Sequence, residues 1–241
     1  MTVIDSATGT NVHEIADGIY RINTPVEIPG TAFSFNQYLV AGDEPLLFHT
    51  GPRQLFPQVQ AAVAHVLPLD GLRHVAFSHV EADECGSLNQ WLAVAPHAAP
   101  LCGSVAAMVS IGDLADRPPR VLADGETVDL GGRRFRWMDA PHVPHGWECG
   151  YLFEETTRTL FCGDLFTQPG TGATPLTEGD ILTPSQEFRR VMDYYALGPN
   201  TGAVLDRLAD TGPETLACMH GSAWQGNGGA LLRELAGALA P

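Results

Sequence analysis

His79-Val-Glu81-Ala-Asp83-Glu84 constrains this chain more than any other stretch. Side chains able to bind a metal stand at i, i+2 and i+4, directly after Val75-Ala76-Phe77, an apolar run that reads as a buried strand. Alternate residues of an extended segment project to one side, so His79, Glu81 and Asp83 can converge on a cation. Three further candidates lie downstream. His145 sits in a Pro-His-Gly-Trp loop before a strand, Asp164 closes Leu160-Phe-Cys-Gly-Asp, and His220 closes Leu216-Ala-Cys-Met-His. Together these positions read as a two-metal pocket assembled at the ends of separate strands.

Such a pocket needs a rigid frame. The chain has 241 residues, 44% hydrophobic and 17% charged, which favours a sizeable core over disorder. No Pro/Gly/Ser stretch is long enough to divide it, so residues 1–241 are expected to form one domain. Lys and Arg number 13 against 28 Asp and Glu, a formal charge of -15. That balance repels phosphate backbones and makes nucleic acid a poor partner; solubility accounts for the bulk of the charge. The start, Met1-Thr-Val-Ile-Asp-Ser, lacks the basic and apolar regions of a secretory signal. No run approaches the ~18 apolar residues of a membrane span. Five scattered cysteines without a CxxC pair suit reduced thiols, so a cytoplasmic location is expected. The cysteines are read as small buried hydrophobes, and none is assigned to the metal.

The pattern along the chain predicts the frame. Gly18–Asn23, Ser34–Val40, Leu46–His49 and Leu72–Ser78 read as strands. A helix follows Pro57, and another spans Gly86–Val94. The pattern then repeats loosely. Thr127–Leu130 and Arg134–Met138 form a hairpin, Cys149–Phe153 and Thr159–Cys162 flank a polar turn, and helices cover 185–196, 200–209 and 231–239. Two such halves predict an α/β fold, an αββα sandwich of two mixed β-sheets with outer helices. Pro169–Pro184 is expected to be a long, mobile flap near the pocket.

The order and context of the candidate ligands resemble the metallo-β-lactamase fold superfamily. His145 and Asp164 are 164 − 145 = 19 residues apart. The segment between them is similar to that superfamily's hairpin ending in Leu-Phe-x-Gly-Asp. Its hydrolases usually carry HxHxDH; here the motif is His79-x-Glu81-x-Asp83-Glu84. The HxExD form resembles the flavodiiron proteins and their stand-alone relatives, the oxygen-binding di-iron proteins. Asn36-Gln-Tyr38-Leu and His220-Gly-Ser-Ala-Trp224 resemble two further motifs of that branch, so the similarity spans roughly residues 18–225.

The resemblance implies one metal held by His79, Glu81 and His145, the other by Asp83 and His220, with Asp164 bridging. Departures matter. Glu84 stands where the family commonly has His, and three roles are open to it: ligating the second metal, hydrogen-bonding a bound water, or facing solvent. His49-Thr-Gly51 replaces the superfamily's Asp-Thr-Gly, which alters the hydrogen bonds behind the ligands. His142 is a rival to His145; the 19-residue spacing favours His145 and leaves His142 to line the pocket. Glu84 and His142 are therefore the candidate catalytic residues beside the ligands. His13, His65, His74 and His97 are read as ordinary structural or surface histidines.

Charge chooses the metal. Glu81, Asp83 and Asp164 bring three negative charges, and a carboxylate in place of an imidazole hardens the site. Two iron ions are expected, with zinc or manganese as alternatives, and no flavin bound by this chain. A paired iron site binds, reduces or senses O2 or NO. Trp147, Trp224, Phe166 and Tyr38 could line a water-poor face, with plain core packing the alternative reading. Electrons would come from a separate donor protein, and a homo-oligomer is a reasonable expectation. The competing reading is a dinuclear zinc hydrolase of an ester, thioester or lactone, in which Asp83 or Glu84 moves the proton.

Overall fold

The structure, a computed structural model, describes residues 1–28 and 30–240. Two β-sheets stack face to face. The first has eight strands in sequence order: β1 Thr2–Asp5, β2 Thr10–Ala16, β3 Ile19–Ile28, β4 Thr31–Val40, β5 Leu46–Phe48, β6 His74–Ala76, β7 Ala99–Gly103 and β8 Arg120–Leu122. Strands β1 to β5 pair antiparallel, and β5 to β8 pair parallel. The second sheet has seven strands: β9 Thr127–Leu130, β10 Arg133–Asp139, β11 Gly150–Glu154, β12 Thr159–Gly163, β13 Leu176–Thr177, β14 Thr215–Cys218 and β15 Ala223–Gln225. Their spatial order is β13-β15-β14-β12-β11-β10-β9, again with both pairing senses.

The helices are α1 Phe56–Val66, α2 Ala82–Cys85, α3 Leu88–Val94, α4 Ser104–Ala106, α5 Gly112–Leu114, α6 Leu182–Met192, α7 Thr201–Asp210 and α8 Gly228–Leu239. Pro57 stands in the first turn of α1, where a missing N–H costs nothing. The Asn227 side chain caps α8 by accepting from the Ala230 N–H. None of the helices among the described residues is long and apolar enough to cross a membrane.

Period-two alternation explains the layering. In β5, Leu46 and Phe48 face the second sheet while Leu47 faces outward onto α1 and α3. In β12, Phe161 points between the sheets while Leu160 and Cys162 pack beneath α7 and α8. Both faces of the central strands are covered, so these strands read as continuous apolar runs. The result is helix, sheet, sheet, helix, as the sequence predicts. The differences are local. The strand expected over Leu72–Ser78 shrinks to His74–Ala76, because the chain bends into the ligand loop after Phe77. The helix expected over 185–196 runs Leu182–Met192, ending at Asp193 in the left-handed region. That frees Tyr194 and Tyr195 to turn inward. Strands β1, β2, β7 and β8 and the helical stretch 104–114 were not expected.

The Pro169–Pro184 segment is tethered rather than free. Arg21 donates to the Gly172 carbonyl at 2.8 Å, Trp224 Nε1 donates to the Gly179 carbonyl at 2.9 Å, and β13 pairs with β15.

Phe161 is fully buried between the sheets, its ring 5.1 Å from Phe48 and 5.9 Å from Tyr38. Phe161→Ala is expected to cost about 3–5 kcal/mol in equilibrium urea unfolding, as for large core truncations generally. A loss no larger than a surface substitution would show that the inter-sheet core does not hold the sandwich together.

Candidate metal centre

The site lies where strands of both sheets end. His79 follows β6, Asp164 follows β12, His220 follows β14, and His145 lies in the loop joining β10 to β11. The polypeptide from 79 to 84 does not stay extended, as the alternating spacing suggests. Glu81 is the N-cap of the one-turn helix α2, which carries both Asp83 and Glu84. The ligand candidates therefore separate into two groups. His79, Glu81, His145 and Asp164 offer atoms within 4.8 Å of one another, and so do Asp83, Glu84 and His220.

Asp164 faces both groups. Its Oδ2 lies 3.8 Å from His79 Nε2 and 3.6 Å from His145 Nε2, while Oδ1 lies 3.1 Å from His220 Nε2. The tight approach of β12 to the His79 loop depends on Gly163. It has φ 48°, and a Cβ there would sit 2.7 Å from Ser78 Oγ.

The imidazoles share one orientation. His145 Nδ1 donates to the Tyr194 carbonyl at 2.9 Å, and His220 Nδ1 donates to the Ser34 carbonyl at 2.9 Å. His79 Nδ1 meets Ser78 Oγ at 3.0 Å. A histidine that donates from Nδ1 presents a lone pair at Nε2 when neutral. Here every Nε2 points at carboxylate oxygen. Glu81 Oε2 lies 3.0 Å from both His79 and His145, and Asp83 Oδ2 lies 3.4 Å from His220. Acceptor faces acceptor, an arrangement that requires cations between them. The donor set of nitrogen and oxygen at the mouth of a buried cleft fits a pair of divalent or trivalent metal ions.

Without metal, protons fill that need. Burial disfavours a charged His220, but its hydrogen bonds to Asp164 and Asp83 outweigh burial and push it up to about 10. Hydrogen bonds from His145 and His79 hold Glu81 below the usual carboxylate range. His49 behaves oppositely: complete burial pushes it down to about 3, so it stays neutral. Its Nε2 lies 3.1 Å from Ser78 Oγ, which in turn contacts His79. His49 thus occupies the supporting place expected from the His49-Thr-Gly51 variation, held at φ 65° with its N–H bonded to the Ala76 carbonyl.

The other expected residues fall differently. His142 is exposed and belongs to neither group. Glu84 is fully buried, and neither of its oxygens has a hydrogen-bond partner. The aromatic candidates lie elsewhere. Trp147 is 55% exposed, Trp224 lines a different cleft, and Phe166 and Tyr38 are locked in the core. A cleft of about 180 Å³ opens on the ligands instead, walled by Ile28, Phe33, Phe188, Met192 and Tyr194. Phe33 stacks on Phe188 and packs 4.5 Å from the His220 ring. No cysteine joins either group, and all five are free.

A buried polar clamp reaches from the first sheet to the loop carrying His220. Asn36 Nδ2 donates to the Cys218 and Gly221 carbonyls at 2.9 and 2.8 Å. Tyr38 Oη donates to the Cys218 carbonyl at 2.6 Å, and Arg21 to the Gly221 carbonyl at 2.7 Å. Sequence reasoning missed Arg21, Ser34, Ser78 and Tyr194. Arg21 left one signal, a cation between Tyr20 and Ile22 at the apolar start of a strand.

The fold defines a metallo-β-lactamase-like domain, and its donor set forms two neighbouring groups of metal-ligating side chains. Residues 33–221 match the family described as ODP family beta lactamase. The chain belongs to that family. It is 27% identical over 198 residues to a protein named putative diflavin flavoprotein A 1 of Thermosynechococcus vestitus, covering 78% of this chain and 34% of that protein. It is 29% identical over 172 residues to the coenzyme F420H(2) oxidase of Methanocaldococcus jannaschii, covering 64% of this chain and 41% of that protein. The chain thus spans about a third of the length of such relatives. Among solved structures, the flavodiiron core of Flv1 from Synechocystis superposes with a TM-score of 0.82 at 20% identity, covering 95% of this chain and 60% of that one. The rubredoxin oxygen:oxidoreductase of Desulfovibrio gigas gives 0.79 at 18%, covering 95% and 61%.

The protonation pattern predicts a pH profile for metal-free protein. His49 binds its proton more weakly folded than unfolded, so its contribution is lost as pH falls below 6.5 towards 3. His220 binds its proton more tightly folded, so its contribution is lost as pH rises from 6.5 through 10. Chelator-treated protein is expected to be most resistant to urea near pH 6.5, and added metal should remove the alkaline decline. A flat alkaline limb before metal is added would contradict the proton-for-metal exchange at His220.

Proposed function

We propose that this chain is a non-haem di-iron protein that binds and reduces O2 or NO, using electrons from a separate redox protein. The observation that carries this reading is the set of inward Nε2 atoms facing carboxylates, with Asp164 between them. His79, Glu81 and His145 hold the first ion, and Asp83 and His220 hold the second. Asp164 would stand between the two ions, with one oxygen towards each group. The names of relatives point the same way: one is an F420H(2) oxidase and another a rubredoxin oxygen:oxidoreductase. The sandwich, residues 1–241, works as one domain.

Iron, if bound here, would supply electrons to a diatomic ligand. The chain's residues prepare the place. Ser34, Ser78 and Tyr194 orient the imidazoles from behind, so little reorganisation accompanies ligand binding. Ile28, Phe33, Phe188 and Met192 make the approach apolar, which suits a small uncharged gas and discourages bulk water. Glu81, 52% exposed on its side chain, places a carboxylate where an imidazole would soften the first site towards zinc.

Protein prepared anaerobically with ferrous iron is expected to hold about two iron ions per chain and to develop near-ultraviolet charge-transfer absorption on exposure to air. Asp164→Ala should lose both ions together, and Glu81→His should shift retention from iron to zinc. Wild-type protein that retained only zinc and stayed spectrally silent under O2 and NO would overturn the proposal.

A further inference from the structure

We infer that Glu84 is a direct ligand of the second metal ion, giving that ion three carboxylates and one imidazole. This rests on the dinuclear reading above and deepens it: the second position becomes the harder of the two and selects iron or manganese against zinc.

Burial carries the first part of the argument. Glu84 is 0% exposed, so the solvent-facing role is excluded. Both carboxylate oxygens lack a hydrogen-bond partner. Its only basic neighbour within ion-pair distance among the described residues is His79, whose Nε2 lies 3.9 Å from Oε2. A buried carboxylate is retained when something cationic completes it. No arginine or lysine does so among the described residues.

Direction carries the second part. The Glu84 carbonyl accepts from the Thr50 N–H at 2.8 Å, and the Asp83 carbonyl accepts from the Gly51 N–H at 3.0 Å. These bonds pin the backbone of α2 beneath the site. Glu84 oxygen, Asp83 oxygen and His220 nitrogen then lie within 4.8 Å of one another, a span that one ion can bridge. Asp164 Oδ1 reaches the same place, 3.1 Å from His220 Nε2.

The consequence is an asymmetric pair. The first ion meets His79 and His145 with Glu81 and Asp164. The second meets only His220, with Asp83, Glu84 and Asp164. Four carboxylates bring four negative charges, enough to neutralise two divalent ions and to favour trivalent ones. Oxygen-rich sites suit iron and manganese better than zinc.

The test uses the full chain, stripped with chelator and reloaded with defined metals. Metal per chain is counted by mass spectrometry, and thermal melting is followed with and without metal. With ferrous iron alone, Glu84→Gln is expected to keep the first ion and lose the second, while wild type holds both. Added ferrous iron should raise the melting temperature of wild type more than that of Glu84→Gln, because one ion fewer binds the folded variant. With equimolar manganese and zinc, Glu84→His should raise the zinc-to-manganese ratio by about tenfold or more. Either variant loading both ions with wild-type preference overturns the assignment, as does a Glu84→Gln protein that merely bridges through water and keeps its second ion. Wild type that never binds a second ion, whatever stands at 84, overturns the dinuclear reading and this inference with it.

Discussion

Everything at this centre depends on lone pairs turned towards lone pairs. Ser34 and Tyr194 carbonyls take the Nδ1 protons of His220 and His145, and Ser78 contacts Nδ1 of His79. Each ring is then committed to presenting Nε2 to carboxylate oxygen. A protein interior does not tolerate such an arrangement without positive charge inside it. Protons can supply that charge, as the raised affinity of His220 shows; metal ions supply it better and in two places. In the proposed centre, Glu81, Asp83 and Asp164 thus supply the acidic half of an ion cage.

The sandwich exists to hold that cage still. Each sheet is covered on both faces, and the ligands sit where strands stop and backbone leaves the core. Two sheets that merely stacked would not fix His220 relative to His79. The polar clamp does so: Arg21, Asn36 and Tyr38 on the first sheet grip the carbonyls of Cys218 and Gly221 on the second. These donors are buried, so the penalty for leaving any carbonyl unpaired falls on the ligand loop itself. Gly163 completes the fit by letting the Asp164 turn approach Ser78 more closely than any side chain permits.

Much of this was legible in the sequence where the physics is local. The apolar run before His79, the Leu-Phe-Cys-Gly-Asp164 strand end and the hairpin at 127–138 each announce themselves through period and spacing. The short strand β1 and the exposed β8 do not, because their few residues carry no clear alternation. The alternating-loop argument brought His79, Glu81 and Asp83 to one cation, whereas the structure groups His79 with Glu81 and places Asp83 with Glu84 and His220. Asp83 stands on a helical turn, and that turn is what sends Glu84 inward beside it. Of the aromatics that could have lined the pocket, Phe166 and Tyr38 pack in the core, the alternative reading, while Trp147 and Trp224 lie away from the cleft for a related reason. An aromatic near a ligand in sequence lies near it in space only if the backbone between them turns the right way.

The sequence by itself determined the donor chemistry, the order of the ligands along the chain and the layered α/β class. Those follow from residue type and periodicity, which are properties of short segments. Only the tertiary structure decided that the ligands divide into two groups about Asp164, that Phe33, Phe188, Met192 and Tyr194 wall the cleft, and that Glu84 is sealed from water without a partner. Each of these depends on atoms from distant segments meeting in one place, and closing such contacts is a property of the whole packed chain rather than of any stretch within it.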